Sequence, residues 1–401
     1  MLRYLTSGES HGSELTALIE GMPSGLRLSA GDIDIDLARR QGGYGRGARM
    51  SIEKDSVIIT SGVRFAKTLG SPIGLTIKNK DWENWQGAMS VGSTNVKDKK
   101  SVTRPRPGHA DLPGALKYDH SDVRNVLERS SARETAARVA AGAVAKRLLS
   151  EFGIMVYSFV TDIGGAGMKP LAGANFEKLF KAAEASEVRC PDKAASNKMI
   201  GRIKRAKSAG DSLGGSFQVV ATGVPPGLGS YVQWDRKLNA RLSMALSSIQ
   251  AIKGVGVGAG FKVAGLKGSE LHDEIFFKKA GKGKRQAPGF WPQASGFYRK
   301  TNNAGGIEGG TSNGEPIILS AAMKPIPTLY KPLRSVDIET HKAFTATIER
   351  SDVCAVPAAA VIGESVVAFE LATSFLEKFG GDSLREISRN YRGYLKQIKD
   401  F

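Results

Sequence analysis

A glycine-flanked histidine near the start of the chain could move a proton beside a bound ligand. His11 follows Glu9 and Ser10 in the segment GESHG, residues 8–12. Glycine allows close backbone approach, and histidine is the side chain whose proton exchanges near neutral pH. A histidine in such a loop can also be an ordinary surface residue, and these five residues alone do not decide between the two interpretations.

An arginine- and glycine-rich segment, RRQGGYGRGAR at residues 39–49, is the second candidate for chemistry. Arg40, Arg46 and Arg49 carry the fork that binds phosphate or carboxylate through two hydrogen bonds, and the glycines let the chain wrap around an anion. An RGG-type nucleic-acid segment and a plain basic loop are the alternatives. The segment is single and short and follows a predicted helix, which favours an anion site.

Two further loops place arginine next to a group that transfers protons. RPRPGHAD holds Arg106 and His109 three residues apart, and its X-Pro steps keep the backbone extended. ERSDVCAVPAA holds Arg350 and Asp352 just before a predicted helix, whose N-terminus itself favours an anion. The plainer alternatives are a solvent-exposed loop with an unused histidine for the first, and an N-cap role for Asp352 in the second.

The segment LERSSARET lies on the strongest predicted helix, residues 121–151. Arg129 and Arg133 are four residues apart, so on a continuous helix they project from one face, and an anion between them would offset their repulsion. Arginines therefore come from four separated segments. This distribution suits a buried, polyanionic small molecule better than a nucleic-acid groove. Binding such a molecule would explain the formal net charge of +18.

The composition excludes several other classes. Cys190 and Cys354 have no paired spacing, which argues against a disulfide framework and fits a reducing compartment. The histidines never pair at ligand spacing, so we expect no metal site. We find no apolar run as long as a membrane span and no signal or transit segment, and we expect a soluble, cytoplasmic protein that does not engage a membrane.

The elements that must position these residues mix helices and strands without regular βαβ alternation, which predicts an α+β fold. Helices are predicted over 29–41, 121–151, 174–208, 238–254 and from Pro357 to the Gly380-Gly381 pair. Ser29 and Asp32 resemble a capping box at the start of the first helix, and the alanine-rich second half of 121–151 lets another element pack very close to it. Strands are predicted over 13–28 (strand, turn, strand), 57–65, 72–79, 153–165, 216–230, 254–265 and 316–328. GVGVGA is discounted as a dinucleotide fingerprint, because a strand rather than a helix is predicted after it. In the absence of a clear linker, residues 1–401 are expected to form one domain.

Taken together, the motifs resemble those of the chorismate synthase family. They occur in the family's order and cover the chain from residue 3 to about residue 375. They are GESHG, RRQGGYGRG, RPGHAD, ERSSARET, YVQWDRKLNARL, TNNAGGIEGG, MKPIPTLYKPL, SVDIETH, and ERSD with its following PAA.

The resemblance implies a β-α-β sandwich with helices packed between two antiparallel sheets, usually assembled as a homotetramer. It implies the last common step of the shikimate pathway, an anti-1,4-elimination of phosphate and a ring hydrogen from 5-enolpyruvylshikimate 3-phosphate to give chorismate. The reaction requires reduced FMN without net redox change, and the sequence leaves open whether NADPH or an external reductant reduces the flavin. A flavin oxidoreductase with net electron transfer and a nucleic-acid-binding protein remain the alternatives.

The resemblance also implies roles for individual residues. His11 is the general acid toward the departing phosphate, His109 protonates the flavin or stabilises its reduced form, and Asp352 helps to move the proton at flavin N5. The residues implied in flavin binding are Arg129, Ser130, Ser131, Gln250, Ala251, Gly309, Lys324, Pro325, Ile326, Pro327, Thr328 and Arg350. Those implied in holding the substrate are Ser10, Arg40, Arg46, Arg49, Arg106 and Arg133.

Two features depart from the family pattern. Gln250 stands where Asn or His is more usual, which a backbone contact would tolerate. The basic insertion at 278–300 is longer than in compact members, and both a mobile lid and a surface elaboration are open interpretations.

Overall fold

The computed structural model describes residues 1–47, 54–92, 101–169, 175–278, 295–331, 333–346 and 352–401. Arg49, Arg350 and most of the basic insertion lie outside these described residues. Within them the helices are α1 (Ala30–Gln41), α2 (Asp111–Tyr118), α3 (Arg124–Ser130), α4 (Thr135–Ser150), α5 (Phe176–Glu184), α6 (Lys193–Ser208), α7 (Leu238–Ser247), α8 (Gly268–Leu271), α9 (Val356–Phe379) and α10 (Leu384–Lys399). The strands are β1 (Arg3–Ser7), β2 (Glu14–Glu20), β3 (Val57–Ile59), β4 (Val63–Arg64), β5 (Lys67–Thr68), β6 (Ile73–Lys78), β7 (Met155–Ile163), β8 (Ala166–Gly167), β9 (Gly215–Thr222), β10 (Ile252–Val257), β11 (Ile275–Phe277), β12 (Phe297–Arg299), β13 (Ile307–Glu308), β14 (Thr311–Ser312), β15 (Ile317–Met323), β16 (Arg334–Val336) and β17 (Ala343–Thr345).

Two antiparallel sheets form the outer layers of the molecule. The first has the strand order β1-β2-β6-β3, and the second has the order β10-β15-β9-β7-β8. Along β2, the buried side chains of Leu15, Ala17 and Ile19 alternate with more exposed ones, as expected for a strand with one face on the core. The predicted α+β class is confirmed, and GVGVGA continues from β10 into a 3₁₀ helix rather than into the helix of a βαβ unit.

Helices α4 and α9 fill the space between the sheets. α4 packs on β2 and β6, α9 packs on β7 and β9, and the two helices pack on each other. A Cβ added to Gly142 of α4 would lie 2.4 Å from the Cβ of Ser365 in α9, so only a residue without a side chain fits there. The predicted sandwich and the predicted close packing of the alanine-rich helix are confirmed. One hydrophobic cluster includes residues of both sheets and both helices.

Helix α9 is long and apolar enough to cross a membrane by length and composition alone. In its most apolar window, 89% of the helix is buried inside the protein. Burial between α4 and the second sheet therefore accounts for the apolar composition of this helix.

Helix α1 presents its two final arginines to different surroundings. The helix begins with the predicted capping box of Ser29 and Asp32. Arg39 enters a buried ionic cluster, where it pairs with Glu364, a residue that is 0% exposed. Arg40, one residue later, points away from that cluster toward the candidate site described below. The buried anchor at Arg39 thus fixes the end of α1 that carries Arg40.

The single helix predicted over residues 121–151 is wrong. α3 ends at Ser130, and Ser131 adopts an extended conformation with ψ of 145°. The Ser131 hydroxyl accepts a hydrogen bond from the Arg133 backbone N–H, which is N-cap chemistry and starts a new turn. Arg129 and Arg133 therefore do not share a helix face, and the predicted anion site between them on one face is also wrong.

The hairpin at the N-terminus differs from the prediction as well. No second strand follows β2 in residues 21–29, which form a loop with isolated bridges at Ser24 and Arg27. Instead β1, which was not predicted, pairs with β2 from Arg3↔Glu20 to Ser7↔Thr16. The segment GESHG is therefore the connection of a hairpin at the edge of the first sheet. Helix α10 was also missed, and the helix predicted over 238–254 ends at Ser247.

Candidate functional site

The hairpin loop that carries His11 is attached to α3 through one glutamate. The backbone N–H of Ser10 donates to the Glu128 carbonyl (3.0 Å), and that of His11 donates to Glu128 Oε2 (2.8 Å). The His11 ring is also bonded to this carboxylate, with Nδ1 at 2.9 Å from Oε1 and 3.0 Å from Oε2. The histidine side chain is 17% exposed and that of Glu128 only 1%. The His11 ring is thus fixed by hydrogen bonds and partly accessible to solvent, and it is not a surface side chain without contacts.

The surroundings of Glu128 keep its carboxyl group ionised. Burial alone raises the pKa of Glu128, but the hydrogen bonds and charge of His11, together with Arg124, more than offset this, and the pKa lies below its usual value. Arg124 Nη1 is 3.1 Å from Glu128 Oε1. Trp85 stacks on the His11 ring with a centroid separation of 3.9 Å, which restricts the ring from the other side.

The residues between α3 and α4 complete the first half of the site. Ser131 donates to the Ser10 hydroxyl at 3.2 Å. Arg129 donates to the backbone carbonyls of Thr6 and Gly8 at 2.9 and 3.1 Å, so it holds the hairpin itself. The Ser130 hydroxyl is buried without a hydrogen-bond partner among the described residues.

A second histidine is paired with a carboxylate inside the RPRPGHAD loop. His109 Nδ1 lies 2.5 Å from Asp111 Oδ1. Arg106 donates from Nε to Asp111 Oδ2 at 2.8 Å and from Nη1 to Thr328 Oγ1 at 3.4 Å. Burial raises the pKa of Asp111, but the hydrogen bonds from His109 and Arg106 outweigh it and hold the pKa well below its usual value. The alternative of a solvent loop with an unused histidine is therefore not supported.

The segment after β15 connects this loop to the second sheet. Lys324 donates from Nζ to the carbonyl of Gly108 and from its backbone N–H to the carbonyl of Ala251 at 2.9 Å. Burial, with the nearby charge of Lys253, lowers the pKa of Lys324. Ala251 has a positive φ of 67°, which turns the chain between α7 and β10. Of the next predicted residues, Pro325, Ile326, Pro327 and Thr328, Ile326 accepts a hydrogen bond from Ser212 (2.7 Å), and Thr328 contacts Arg106.

Gln250 adds a second buried polar atom without a partner. Its Nε2 donates to Glu134 Oε2 at 3.3 Å, whereas Oε1 has no hydrogen-bond partner among the described residues. Because Glu134 also accepts from Thr6 of β1 at 3.0 Å, Gln250 is tied to the hairpin that holds His11.

Two buried arginines share one aspartate below the hairpin loop. Arg40 Nη2 and Arg133 Nη1 lie 2.6 and 2.5 Å from the two oxygens of Asp55. Burial is the main cause that lowers the pKa of Arg40 to about 10, and its Nε has no hydrogen-bond partner among the described residues. Arg133 donates from Nε to Asn79 Oδ1 at 2.9 Å. Asn79 in turn donates to the carbonyls of Glu9 and Gly12 at 3.2 and 2.7 Å, which joins this cluster to the His11 loop.

Arg46 and Asp352 meet although they are far apart in the chain. Arg46 Nη1 lies 2.6 Å from Asp352 Oδ2, and Asp352 Oδ1 accepts from the Gly47 backbone N–H at 2.6 Å. The N-cap of α9 is Ala355, without a side-chain hydrogen bond, so the N-cap alternative for Asp352 is wrong. Arg46 of the arginine-rich segment thus meets Asp352, so two of the segments that the sequence analysis grouped around an anion are in contact.

Gly309 lines a cavity whose lining includes neither His11 nor His109. It has a positive φ of 59° and sits between β13 and β14. The cavity has a volume of about 540 Å³ and is also lined by Lys237, His272 and Asp273. No group of three or more histidine, cysteine, aspartate or glutamate side chains suited to a metal ion occurs among the described residues.

The comparisons with known proteins all identify the same family. A family model described as chorismate synthase matches residues 2–376. The chorismate synthase of Geobacter metallireducens is 60% identical over 401 residues, with 100% of both chains covered. The chain belongs to the chorismate synthase family. The chorismate synthase of Symbiobacterium thermophilum is 57% identical over 402 residues, with 99% of both chains covered.

A solved structure of the chorismate synthase family has the same fold. A crystal structure of chorismate synthase matches with a TM-score of 0.79 at 43% identity, covering 100% of this chain and 99% of that one. Family membership confirms the predicted lyase activity, the elimination of phosphate from 5-enolpyruvylshikimate 3-phosphate that gives chorismate at the last common step of the shikimate pathway. It also implies a flavin cofactor.

Four residues of the site were not singled out from the sequence. Asp111 stands inside a quoted motif two positions from His109, and the alternation of arginine, histidine and acid could have identified it. Glu128, Asp55 and Asn79 carry no such local signal, because each meets its partner only after the hairpin, α1, α3 and the turn that follows α3 have packed together.

Proposed function

We propose that this chorismate synthase performs the elimination with reduced FMN, using the two histidine clusters and the buried arginines as its active site. The observation that carries the proposal is the link through Asn79, which ties the His11 loop to Arg133. A proton-transfer group and an anion-binding cluster are thereby fixed relative to one another, as the departure of a phosphate from a bound polyanion requires.

The residues present fit a flavin. Ser130 Oγ and Gln250 Oε1 are buried polar atoms without partners among the described residues, and both would gain hydrogen bonds from a bound polar ring system. Lys324 adds a cation beside the His109 loop. We assign flavin binding to Arg129, Ser130, Ser131, Gln250, Ala251, Gly309, Arg350 and the segment Lys324 to Thr328. When bound, reduced FMN supplies the electron density that assists loss of phosphate without net redox change.

The substrate carries one phosphate and two carboxylates, which arginine side chains would bind through paired hydrogen bonds. We assign this role to Ser10, Arg40, Arg46, Arg49, Arg106 and Arg133. Arg40 supports the assignment best, because its Nε is buried and has no hydrogen-bond partner among the described residues. Arg133 already donates to Asp55 and Asn79, so we infer that it also holds the cluster together.

Proton movement is assigned to three residues. His11 donates a proton to the departing phosphate. With the flavin bound, His109 would supply a proton to it or stabilise its reduced form, and Asp352 would help to move the flavin's proton. Each of the three is held by a charged partner: Glu128, Asp111 and Arg46, respectively. A fixed acid within reach of the leaving group accelerates such reactions by roughly 10²–10⁴.

The test is anaerobic phosphate release from 5-enolpyruvylshikimate 3-phosphate with FMN oxidised, reduced by dithionite, or supplied with NADPH. We expect release and chorismate absorbance with dithionite-reduced FMN, none with oxidised FMN, and a reduced flavin after turnover. Equal release with oxidised FMN would contradict the role of the reduced cofactor, and a flavin oxidised in step with product would indicate an oxidoreductase. The NADPH arm shows whether the chain reduces its own flavin.

Assembly and location remain predictions. We propose a cytoplasmic homotetramer. Leu5 and Leu18, paired on β1 and β2, are 71% and 45% exposed on one face of the first sheet, which supports further association. Both cysteines are buried and unpaired, which supports a reducing compartment. Sedimentation equilibrium tests the tetramer, and a monomer at micromolar concentration would contradict it.

A further inference from the structure

We propose that Glu128 is the positioning residue for His11: its carboxylate fixes the orientation and tautomer of the imidazole. The proposal rests on the proposed role of His11 as the acid toward phosphate, and it assigns a function to a residue outside the sequence-predicted site. The proposal deepens that role, because a general acid must carry its proton on the correct ring nitrogen before the reaction begins.

The hydrogen bonds determine which ring nitrogen keeps its hydrogen. Both oxygens of Glu128 lie at hydrogen-bond distance from His11 Nδ1, at 2.9 and 3.0 Å. An ionised carboxylate can only accept, so Nδ1 must be the donor. The hydrogen on Nδ1 is therefore the fixed one, and the proton that His11 exchanges with a ligand is on Nε2.

Charged and aromatic groups face the His11 ring from three elements. From α3, Glu128 and Arg124 face His11, and the ion pair between them keeps the carboxylate ionised. From the segment after β6, Trp85 stacks on the ring, with Asp81 bonded to the indole N–H at 3.0 Å. Glu9 belongs to the His11 loop itself. Of these groups, Glu128 is the carboxylate in direct contact, and its side chain is 1% exposed, so its effect on the ring is weakly screened.

The proton transfer that follows is balanced. In the elimination, the ring hydrogen departs and the electron pair of its C–H bond enters the double bonds of the product. The C–O bond to the phosphate breaks with its electron pair on the phosphate oxygen, and His11 gives the Nε2 proton to the departing group. His11 is left neutral with its hydrogen on Nδ1, and Glu128 remains a carboxylate throughout. Glu128 therefore acts through His11 and does not itself exchange a proton.

The side-chain role can be separated from the structural role of Glu128. Its backbone carbonyl accepts from Ser10, and a side-chain substitution leaves this carbonyl in place. Glu128→Gln keeps the size of the side chain and an acceptor oxygen but removes the charge. Glu128→Asp keeps the charge but shortens its reach. Glu184→Gln is the matched control, because Glu184 also pairs with buried arginines but lies on α5, in contact with Arg39 and Arg189.

The experiment compares kcat and KM for these variants over pH, with reduced FMN under anaerobic conditions. For Glu128→Gln we expect kcat to fall about 100-fold with KM and flavin affinity within about threefold of the parent. The pH dependence of its kcat should differ from that of the parent, because the charge next to the ring has been removed. Glu128→Asp should recover part of kcat, and Glu184→Gln should match the parent. An unchanged kcat and pH profile in Glu128→Gln would overturn the proposal.

A measurement on the unsubstituted chain decides the tautomer without kinetics. In ¹⁵N-histidine-labelled protein, the His11 signals are those lost in His11→Ala. We expect the neutral ring to carry its hydrogen on Nδ1, and a neutral ring protonated on Nε2 would overturn the proposal even if a Glu128 variant failed to fold. Full activity in His11→Ala would instead refute the acid role in the proposed function, which distinguishes the two failures.

Discussion

His11 and His109 are each bonded through Nδ1 to a buried carboxylate, but the two carboxylates come from different distances along the chain. Glu128 is separated from His11 by 117 positions, whereas Asp111 is separated from His109 by 2. The first pair forms only when the β1-β2 hairpin meets α3. The second pair is contained in one loop, together with Arg106.

The difference shows two ways of holding a catalytic imidazole. The local pair at His109 is determined by a short motif and is reinforced by an arginine that shares its aspartate. The distant pair at His11 is determined by packing, and its ring is further restricted by Trp85. We therefore expect small shifts between helices and strands to leave the His109 pair intact and to disrupt the His11 pair.

Removing the acid itself should give the largest effect. His11→Ala is expected to lower kcat by about 10²–10⁴ while leaving flavin binding largely intact, because the ring acts on the substrate. His109→Ala should also lower turnover, by about tenfold or more. Phosphate release with reduced FMN measures both. His120→Ala, which changes a histidine stacked on Tyr118, is the control, and near-parent turnover in either active-site variant would remove that residue's role.

Asp111→Asn tests the local pair. Its loss leaves buried Arg106 without the carboxylate that it shares with His109. We expect flavin affinity to fall by about 10- to 100-fold, since a buried charge without its partner rearranges. Glu128→Gln should leave flavin affinity nearly unchanged. The difference in flavin affinity between the two variants therefore measures the difference between the His109 pair and the His11 pair. Asp119→Asn, at an exposed left-handed position, is the control, and equal flavin affinity in Asp111→Asn and the parent would contradict the contrast.

Gly142→Ala tests whether helix packing supports the distant pair. The added Cβ would meet Ser365 at 2.4 Å, and α4 would have to move away from α9. We expect a loss of about 1–3 kcal/mol in the free energy of unfolding, with a fall in kcat larger than the fall in flavin affinity. Gly393→Ala in α10 has nothing within 4 Å of its new Cβ and should stabilise by about 0.5–1 kcal/mol. Denaturant unfolding measures both, and equal stability of the two variants would contradict the packing argument.

The smallest effect concerns acid stability. The pKa of Asp111 lies below its usual value near 4 because His109 and Arg106 outweigh its burial, so the native state binds fewer protons than the unfolded state as pH falls. Its contribution is present above about pH 4 and is lost as pH drops toward the native pKa. The unfolding free energy of Asp111→Asn should fall less steeply from about pH 5 to pH 2, by at most about 1.4 kcal/mol per pH unit. Identical slopes would contradict the prediction.

The sequence predicted the local parts of the site better than the distant parts. The capping box at Ser29, the strands at 153–165 and 216–230, and the proximity of Arg106 to His109 all follow from residues a few positions apart. The break at Ser131 was missed because alanine-rich sequence on its C-terminal side favours a continuous helix, whereas the serine hydroxyl caps a new turn.

Glu128, Asp55 and Asn79 could not be predicted from spacing. Glu128 is an ordinary surface-type residue of a predicted helix until the hairpin places His11 against it. Asn79 was the last residue of a predicted strand, and nothing in PIGLTIKN indicates that its amide joins the His11 loop to Arg133. Such links depend on which elements pack together, and the sequence specified that only through resemblance to the family.

The most direct test of the account is a pair of double-mutant cycles on kcat/KM with reduced FMN. The central claim is that each histidine works through its own carboxylate. Glu128→Gln should then cost little further activity in a His11→Ala background, whereas Asp111→Asn should cost about as much there as in the parent. If Glu128→Gln costs as much in the His11→Ala background as it does in the parent, Glu128 does not act through His11 and the claim is contradicted.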